Sequence, residues 1–285
     1  MELNVSLNEK EYFLFKNYIA ENCGIVIPAE KSYMIETRLS KFLLDTGTNS
    51  FDELYDYLIK NNDPVLNQKI INSITTNETK WFRDETPWKV LEKIVLPRLI
   101  DDLASGRKTK ARIWSAAAST GQEIYSTVMC VDNYLYTNSI KGVSLKDFDF
   151  LATDISSHVI HKAKNGRYDK ISIMRGLNDY YKMKYFTKNG FAWDIDHRIR
   201  DEVKFTHFNL LNSYEIFGSF DIIFCRYLLI YFSDILKKEV AAKMYNSLLD
   251  NGVLFTGNYV IHDLFSNNFK SNNHGNLTYY IKKEK

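Results

Sequence analysis

Residues 111–123 read ARIWSAAASTGQE. The apolar run Ala111–Ser115 has strand character. It ends in a loop of small residues running to Gly121, and a helical pattern starts at Glu123. Small side chains at such a turn let a ligand approach the backbone closely. The loop is not G-x-G-x-x-G, and an acid stands at the helix start, where a dinucleotide's pyrophosphate would need exposed amides. Glu123 would repel a phosphate but suits a cationic group such as an α-ammonium or a sulfonium. Without a ligand it would still complement the helix dipole.

Downstream, short apolar runs alternate with longer helical stretches. The runs are Phe148–Thr153, Val203–Phe208, Phe220–Cys225 and Gly252–Thr256; helical spacing fills Glu123–Leu135, Ser157–Lys164 and Ile235–Leu249. This alternation predicts an α/β fold, a doubly wound and mostly parallel sheet covered on both faces. Leu277–Lys282 reads as a last strand at an antiparallel edge. Upstream, residues 1–74 read as an all-helical domain. Phe13, Phe15, Tyr18 and Ile19 make one apolar face, Met34, Ile35, Leu39, Phe42 and Leu43 a second, and Leu54, Tyr57 and Leu58 a third. Gly24 and Gly47 mark helix ends, and Ser50 is a candidate N-cap. The one β-like run in this half is Ile25–Ile27. Residues 75–97 connect the halves, and residues 98–285 make up the sheet domain. Within the latter, about 171–201 holds a helix-like Tyr180–Phe186 and then Asn189-Gly190 between aromatic residues. That is a hairpin signal, so a small inserted β-hairpin subdomain is expected.

The chain has 285 residues, with 37 basic and 35 acidic side chains. Near-neutral charge argues against a nucleic-acid coat or a polybasic membrane binder. Residues 1–74 hold seven basic and eleven acidic side chains, so any basic surface there must be local. No apolar window is long enough to span a membrane, and MELNVSLNEKEYF lacks the features of a secretory signal. Three widely separated cysteines suit reduced thiols. A cytoplasmic protein without nucleic-acid partner or membrane insertion is expected. No Cys/His cluster has ligand spacing, so no metal is expected.

Further motifs could carry chemistry. Asp154, closing the run LATD, stands where nucleoside-binding sheets grip ribose hydroxyls, or it caps the next helix, as Ser156 could. Asn209 in FNLL could read an adenine edge or form a turn. The run FDIIFCRYLLIYF, residues 220–232, is a buried strand ending in Arg226, and Arg226 and Tyr231 are candidates to face a reacting group. In the connector, TTNETKWFRD, residues 75–84, sets hydroxyls, an amide and a guanidinium beside aromatics. Arg83 could clamp a carboxylate with its fork or simply pair with Asp84 or Glu85.

In this order, ITTNETKWFRD, ARIWSAAASTGQEIYS, ATDIS, FNLL and FDIIFCRYLLIYF resemble the chemotaxis-receptor glutamate methyltransferases, the CheR family, over the whole chain. The resemblance implies a Rossmann-like methyltransferase sheet with an N-terminal helical domain. It also implies S-adenosylmethionine as cofactor, with S-adenosylhomocysteine as its product. Its pocket positions fall on Asn77, Thr79, Arg83, Glu123, Asp154, Asn209, Leu210, Arg226 and Tyr227. By the same pattern Asp154 holds the ribose, Glu123 faces the methionyl end, and Arg83 and Tyr231 lie near the transferred methyl as the catalytic pair. The implied substrates are glutamates on the cytoplasmic helices of chemoreceptors. A basic helix face with Lys31, Arg38 and Lys41 is the implied docking surface, and a monomer is expected. The chain departs from the family at Tyr227, where Asn is usual, at Ile124, where Pro is frequent, and at Gly257–Val260, where a Ser/Thr-Glu pair is frequent. Two other classes compete with this reading. A NAD-dependent oxidoreductase is disfavoured by the missing glycine fingerprint and by Glu123. A non-catalytic S-adenosylmethionine-binding sensor of the same fold is kept open by Tyr227 and Gly257–Val260.

Overall fold

The computed structural model describes residues 5–257, 269–275 and 277–283. Four helices open the chain: α1 (Glu9–Cys23), α2 (Tyr33–Thr46), α3 (Phe51–Asn61) and α4 (Pro64–Ile74). Their ends follow local chemistry. Asn8 and Glu11 form a reciprocal capping box on α1, Ser50 accepts from Glu53 N at the start of α3, and Asp63 caps α4 with Pro64 in its first turn. Gly24 and Gly47 stop α1 and α2 in the left-handed region. Phe15, Ile35, Leu39, Phe51 and Leu54 form a fully buried core between the four helices. The face expected for α1 is rotated. Tyr12 is buried and donates to Ile27 O, whereas Phe13 is half exposed. Ile25–Ile27 is no strand; it crosses as extended chain and borrows one bond, Val26 N to Tyr231 O, from the other half.

The connector carries α5 (Glu85–Val90) and a π-helical turn (Leu91–Val95) and runs into α6 (Leu96–Ala104). The sheet domain then runs β1 (Ala111–Ala116), α7 (Gln122–Thr137), β2 (Phe148–Asp154), α8 (Ser157–Asn165) and β3 (Arg167–Asp169). It continues through α9 (Lys170–Met174), α10 (Asp179–Tyr185), β4 (Phe186–Asn189), β5 (Ala192–Ile195), α11 (His197–Arg200) and β6 (Val203–His207). The last elements are β7 (Phe220–Phe224), α12 (Asp234–Asn246), β8 (Leu248–Phe255), β9 (Phe269–His274) and β10 (Leu277–Lys282). Seven strands order as β6-β2-β1-β7-β8-β10-β9, parallel from β6 to β8 and antiparallel beyond. Strand β10 therefore lies inside the sheet, and β9 is the edge. The helical pattern read through Leu249 stops at Asn246, because Leu248 already pairs with Phe220 as strand.

Strand β1 shows why both faces are covered. Ile113 packs with Val128, Ile222 and Phe224 on the α7 side, and its neighbour Trp114 packs with Ile223, Val240 and Leu254 on the α12 side. Period-two alternation with apolar residues at both phases is what a sheet buried on both faces requires. The small sheet, β3-β5-β4, is antiparallel and takes its first strand from Arg167–Asp169, upstream of the expected insertion. Trp81 of the connector is fully buried against it, with ring centroids 4.8 Å from Tyr168 and 5.1 Å from Phe186 and its indole N–H on Ser172 O. The order of the large sheet reverses at β1, which has β2 on one side and β7 on the other. Such a reversal leaves a crevice at the strands' carboxyl ends. Among the described residues no helix is long and apolar enough to cross a membrane.

Candidate functional site

That crevice is a cavity with two roofs. The sheet supplies Ala117, Ser119, Glu123, Asp154, Leu210 and Arg226; the connector supplies Asn77, Thr79 and Arg83; the helical half supplies Cys23, Ile25–Pro28, Lys31 and Met34. The two halves are pinned together at its rim. Asn209 Nδ2 donates to Asn22 O (2.8 Å), Gln68 Nε2 to Ile155 O (2.9 Å) and Val26 N to Tyr231 O (2.8 Å).

The loop after β1 bends sharply. Ala117 and Ser119 take positive φ, 64° and 51°, and Gly121 takes 92°. Left-handed conformations at non-glycine residues are held only where surrounding bonds fix them. Here Ala118 N donates to Thr153 O (2.9 Å), Ser119 N to Asp154 Oδ2 (2.8 Å) and Ser119 Oγ to Asn77 O (2.8 Å). Gly121 abuts Ala163 and the Tyr125 ring, where a Cβ would come within 3.1 Å of each. Asp154 takes a second amide, from Ser156 N (2.9 Å), and Ser156 is the residue that caps α8. Burial raises the Asp154 carboxyl above the ordinary carboxylate value, and the two amide bonds offset part of that rise.

Glu123 does not face the cavity as a bare charge. Its carboxylate accepts from Ser115 Oγ (2.7 Å) and from Arg226 Nη1 (2.8 Å). The Arg226 side chain is 1% exposed and also bridges Asp84 Oδ2 at 2.6 Å. Its Nε is a buried donor with no partner among the described residues. Asp84 also accepts from Tyr227 Oη. Neither simple pairing foreseen for Arg83 occurs, since Asp84 belongs to Arg226 and Glu85 pairs with Lys89. Arg83 donates to Glu78 O (3.2 Å) and lies over the Tyr227 ring, 3.6 Å from its centroid; it forms no ion pair among the described residues.

Every pocket residue expected from the sequence, together with Tyr231 and Lys31, lines this one cavity. Some are already engaged. The Asn209 side chain is spent on Asn22 O and on Leu211 N, so its amide ties the two halves rather than standing free for a base edge. Arg38 donates to Ile74 O and reaches Thr76 Oγ1 (3.4 Å), and Lys41 lies over the Phe42 ring at 4.9 Å; neither lines the cavity. Ser115 and the Ile25–Pro28 wall carry no sequence signal as site residues, and Asp84 enters from the sequence only as a possible partner of Arg83. The actual partners of Asp84, Arg226 and Tyr227, lie 142 and 143 positions away, whereas Ser115 meets Glu123 only eight positions on. Of the Gly257–Val260 departure only Gly257 is described; 258–260 lie outside the described residues.

Lined by the acids Glu123 and Asp154 and by the apolar Ile27, Met34, Ile155, Phe208 and Leu210, the cavity suits an amphipathic ligand with hydroxyls, a flat apolar part and a cationic group. Comparison with known proteins agrees. Residues 77–273 match the family model described as "CheR methyltransferase, SAM binding domain", and residues 10–75 match "CheR methyltransferase, all-alpha domain". Chemotaxis protein methyltransferase 1 of Pseudomonas aeruginosa is 38% identical over 254 residues, 89% of this chain and 90% of that protein. Chemotaxis protein methyltransferase Cher2 of Pseudomonas putida is 36% identical over 254 residues, with the same coverage. The chemotaxis protein methyltransferase of Listeria monocytogenes is 32% identical over 249 residues, 87% of this chain and 89% of that protein.

Proposed function

The chain belongs to the CheR methyltransferase family and is an S-adenosylmethionine-dependent methyltransferase of chemotaxis, and from that premise we propose that it methylates glutamate side chains on the cytoplasmic helices of chemoreceptors, forming methyl esters. The observation that supports the reading is the placement of Asp154, Glu123, Arg83 and Tyr231 around one cavity at the ends of β1, β2 and β7. The bound cofactor supplies a methyl group on a sulfonium. Asp154 would accept from ribose hydroxyls. The Glu123 carboxylate, shared with Arg226, would offer partial negative charge to its cationic end.

A glutamate is already ionised at neutral pH, so no general base is needed. The protein's task is to hold two reactants in line, which supplies several kcal/mol through proximity alone, of order 7 or more in well-aligned cases. Charge must be handled sparingly. The acceptor loses its negative charge in the step, so a tight ion pair with it would stabilise the ground state more than the transition state. Arg83 lies on an aromatic face with its N–H edge unpaired by any described carboxylate, and it would orient the acceptor rather than neutralise it. Lys31 at the cavity rim and exposed Lys41 would meet acidic residues of the receptor helices; Arg38, tied to Ile74 O, would contribute less.

Tritium transfer from labelled S-adenosylmethionine to a receptor cytoplasmic fragment tests the reading. Base-labile label on glutamate is expected. Tight S-adenosylhomocysteine binding without transfer would instead favour the sensor. Arg83→Lys should lower transfer, because it keeps the charge and loses the fork. Charge reversal at Lys41, which does not line the cavity, should weaken receptor affinity and leave S-adenosylhomocysteine affinity in place.

A further inference from the structure

Tyr227 makes several contacts at the cavity, the longest to the Arg226 guanidinium, 5.6 Å from its ring centroid. Its backbone is left-handed, with φ 59°, which turns the ring back toward the connector. Its hydroxyl donates to Asp84 Oδ2, the oxygen that also takes Arg226. One face of the ring carries the Arg83 guanidinium at 3.6 Å. The ring also lies against Gly257, where an added Cβ would stand 3.3 Å from Cε2 and from Cζ; Gly257 itself has φ +75°. Neighbouring Asp84 would otherwise be the natural partner of Arg83. With Tyr227 and Arg226 occupying its carboxylate, Arg83 is kept off it. A ring face attracts a guanidinium without consuming its N–H donors, which point outward in the plane.

We propose that Tyr227 is a positioning residue: its ring is the platform that holds the Arg83 guanidinium at the reacting end of the cavity, with Asp84 and Gly257 fixing the platform. This rests on the role given above to Arg83. The platform predicts that ring and hydroxyl contribute unequally. Tyr227→Phe keeps the stack, whereas Tyr227→Leu removes it.

Transfer kinetics of the full chain with a receptor fragment would be measured for Tyr227→Phe, Tyr227→Leu, Arg83→Ala and the Leu/Ala double variant. Tyr227→Phe should stay within about threefold of wild type, and Tyr227→Leu should lose about tenfold in kcat/KM, chiefly through KM for the fragment. Any change in S-adenosylhomocysteine affinity by calorimetry should be smaller than the loss in kcat/KM, and in the Arg83→Ala background the Leu substitution should cost nothing more in transfer. Gly257→Ala, which presses a methyl on the ring, should show a smaller loss with the same dependence on Arg83. Additive losses would overturn the proposal, as would a Phe variant as impaired as the Leu variant. A loss in cofactor affinity equal to the loss in kcat/KM would do the same. A second readout needs no receptor: the Arg83 Hε proton resonance, assigned by its absence in Arg83→Ala, should be shifted upfield by the ring in wild type and Tyr227→Phe and lose that shift in Tyr227→Leu. An unshifted wild-type resonance refutes the platform whatever the transfer assay gives; a shifted one with no transfer would fault the proposed reaction instead.

Discussion

Replacing Arg226 by Met should destabilise the protein by more than an ordinary surface charge deletion. The side chain is 1% exposed and stands between Glu123, 13% exposed, and Asp84, 28% exposed. Removing one partner of a buried ion pair costs about 3–5 kcal/mol, because the remaining charge is left desolvated. Asp84 can recover some hydration, so about 3 kcal/mol is the appropriate figure here. In a chain of this length each kcal/mol moves the melting temperature by roughly 2 °C, so a fall of about 6 °C is expected. Adding Glu123→Gln to Arg226→Met should recover about 1–2 kcal/mol by removing one stranded charge. Thermal and urea melts followed by circular dichroism measure all of this. A fall under about 2 °C would refute the electrostatic account of the network.

The raised Asp154 carboxyl gives cofactor binding a pH dependence: S-adenosylhomocysteine affinity should begin to fall on acidification while still above the ordinary 3.8, and Asp154→Asn should bind weakly with that dependence gone. The sign for stability is opposite, since the native state holds this proton longer than the unfolded chain; the contribution of Asp154 to stability declines as pH rises from 3.8 through its native value. Gly176→Ala should destabilise by about 2 kcal/mol or more, because its φ is +95° and a Cβ would stand 2.2 Å from Trp81 O; a melt unchanged from wild type would contradict this. Burial pushes the Cys130 and Cys225 thiols well up and Cys23 to about 11, so a chromogenic disulfide reagent at pH 8 should find none of the three until denaturant is added.

The alternation of short apolar runs with helical spacing was enough to predict the doubly wound sheet, because side-chain period is a local property that tertiary contacts only have to accept. The same holds for the caps at Ser50 and Gly24 and for the hairpin at Asn189-Gly190. Local period failed where burial depends on a neighbour. Phe13 rather than Tyr12 was placed on the α1 core face, and β10 was placed at the edge that β9 occupies. Asp154 and Glu123 stood out because strand ends and helix starts are readable from one segment.

What those acids do was decided only by the tertiary structure. Arg226 meets Glu123 across 103 residues and Asp84 across 142, and Asn209 ties to Asn22 across 187. No window of sequence contains such pairs. Five of the eight non-glycine residues with positive φ among those described, Phe82, Asp84, Ala117, Ser119 and Tyr227, cluster at the cavity or beside Arg83. Local propensity disfavours every one of these conformations, so only the bonds and packing of the assembled site can hold them there.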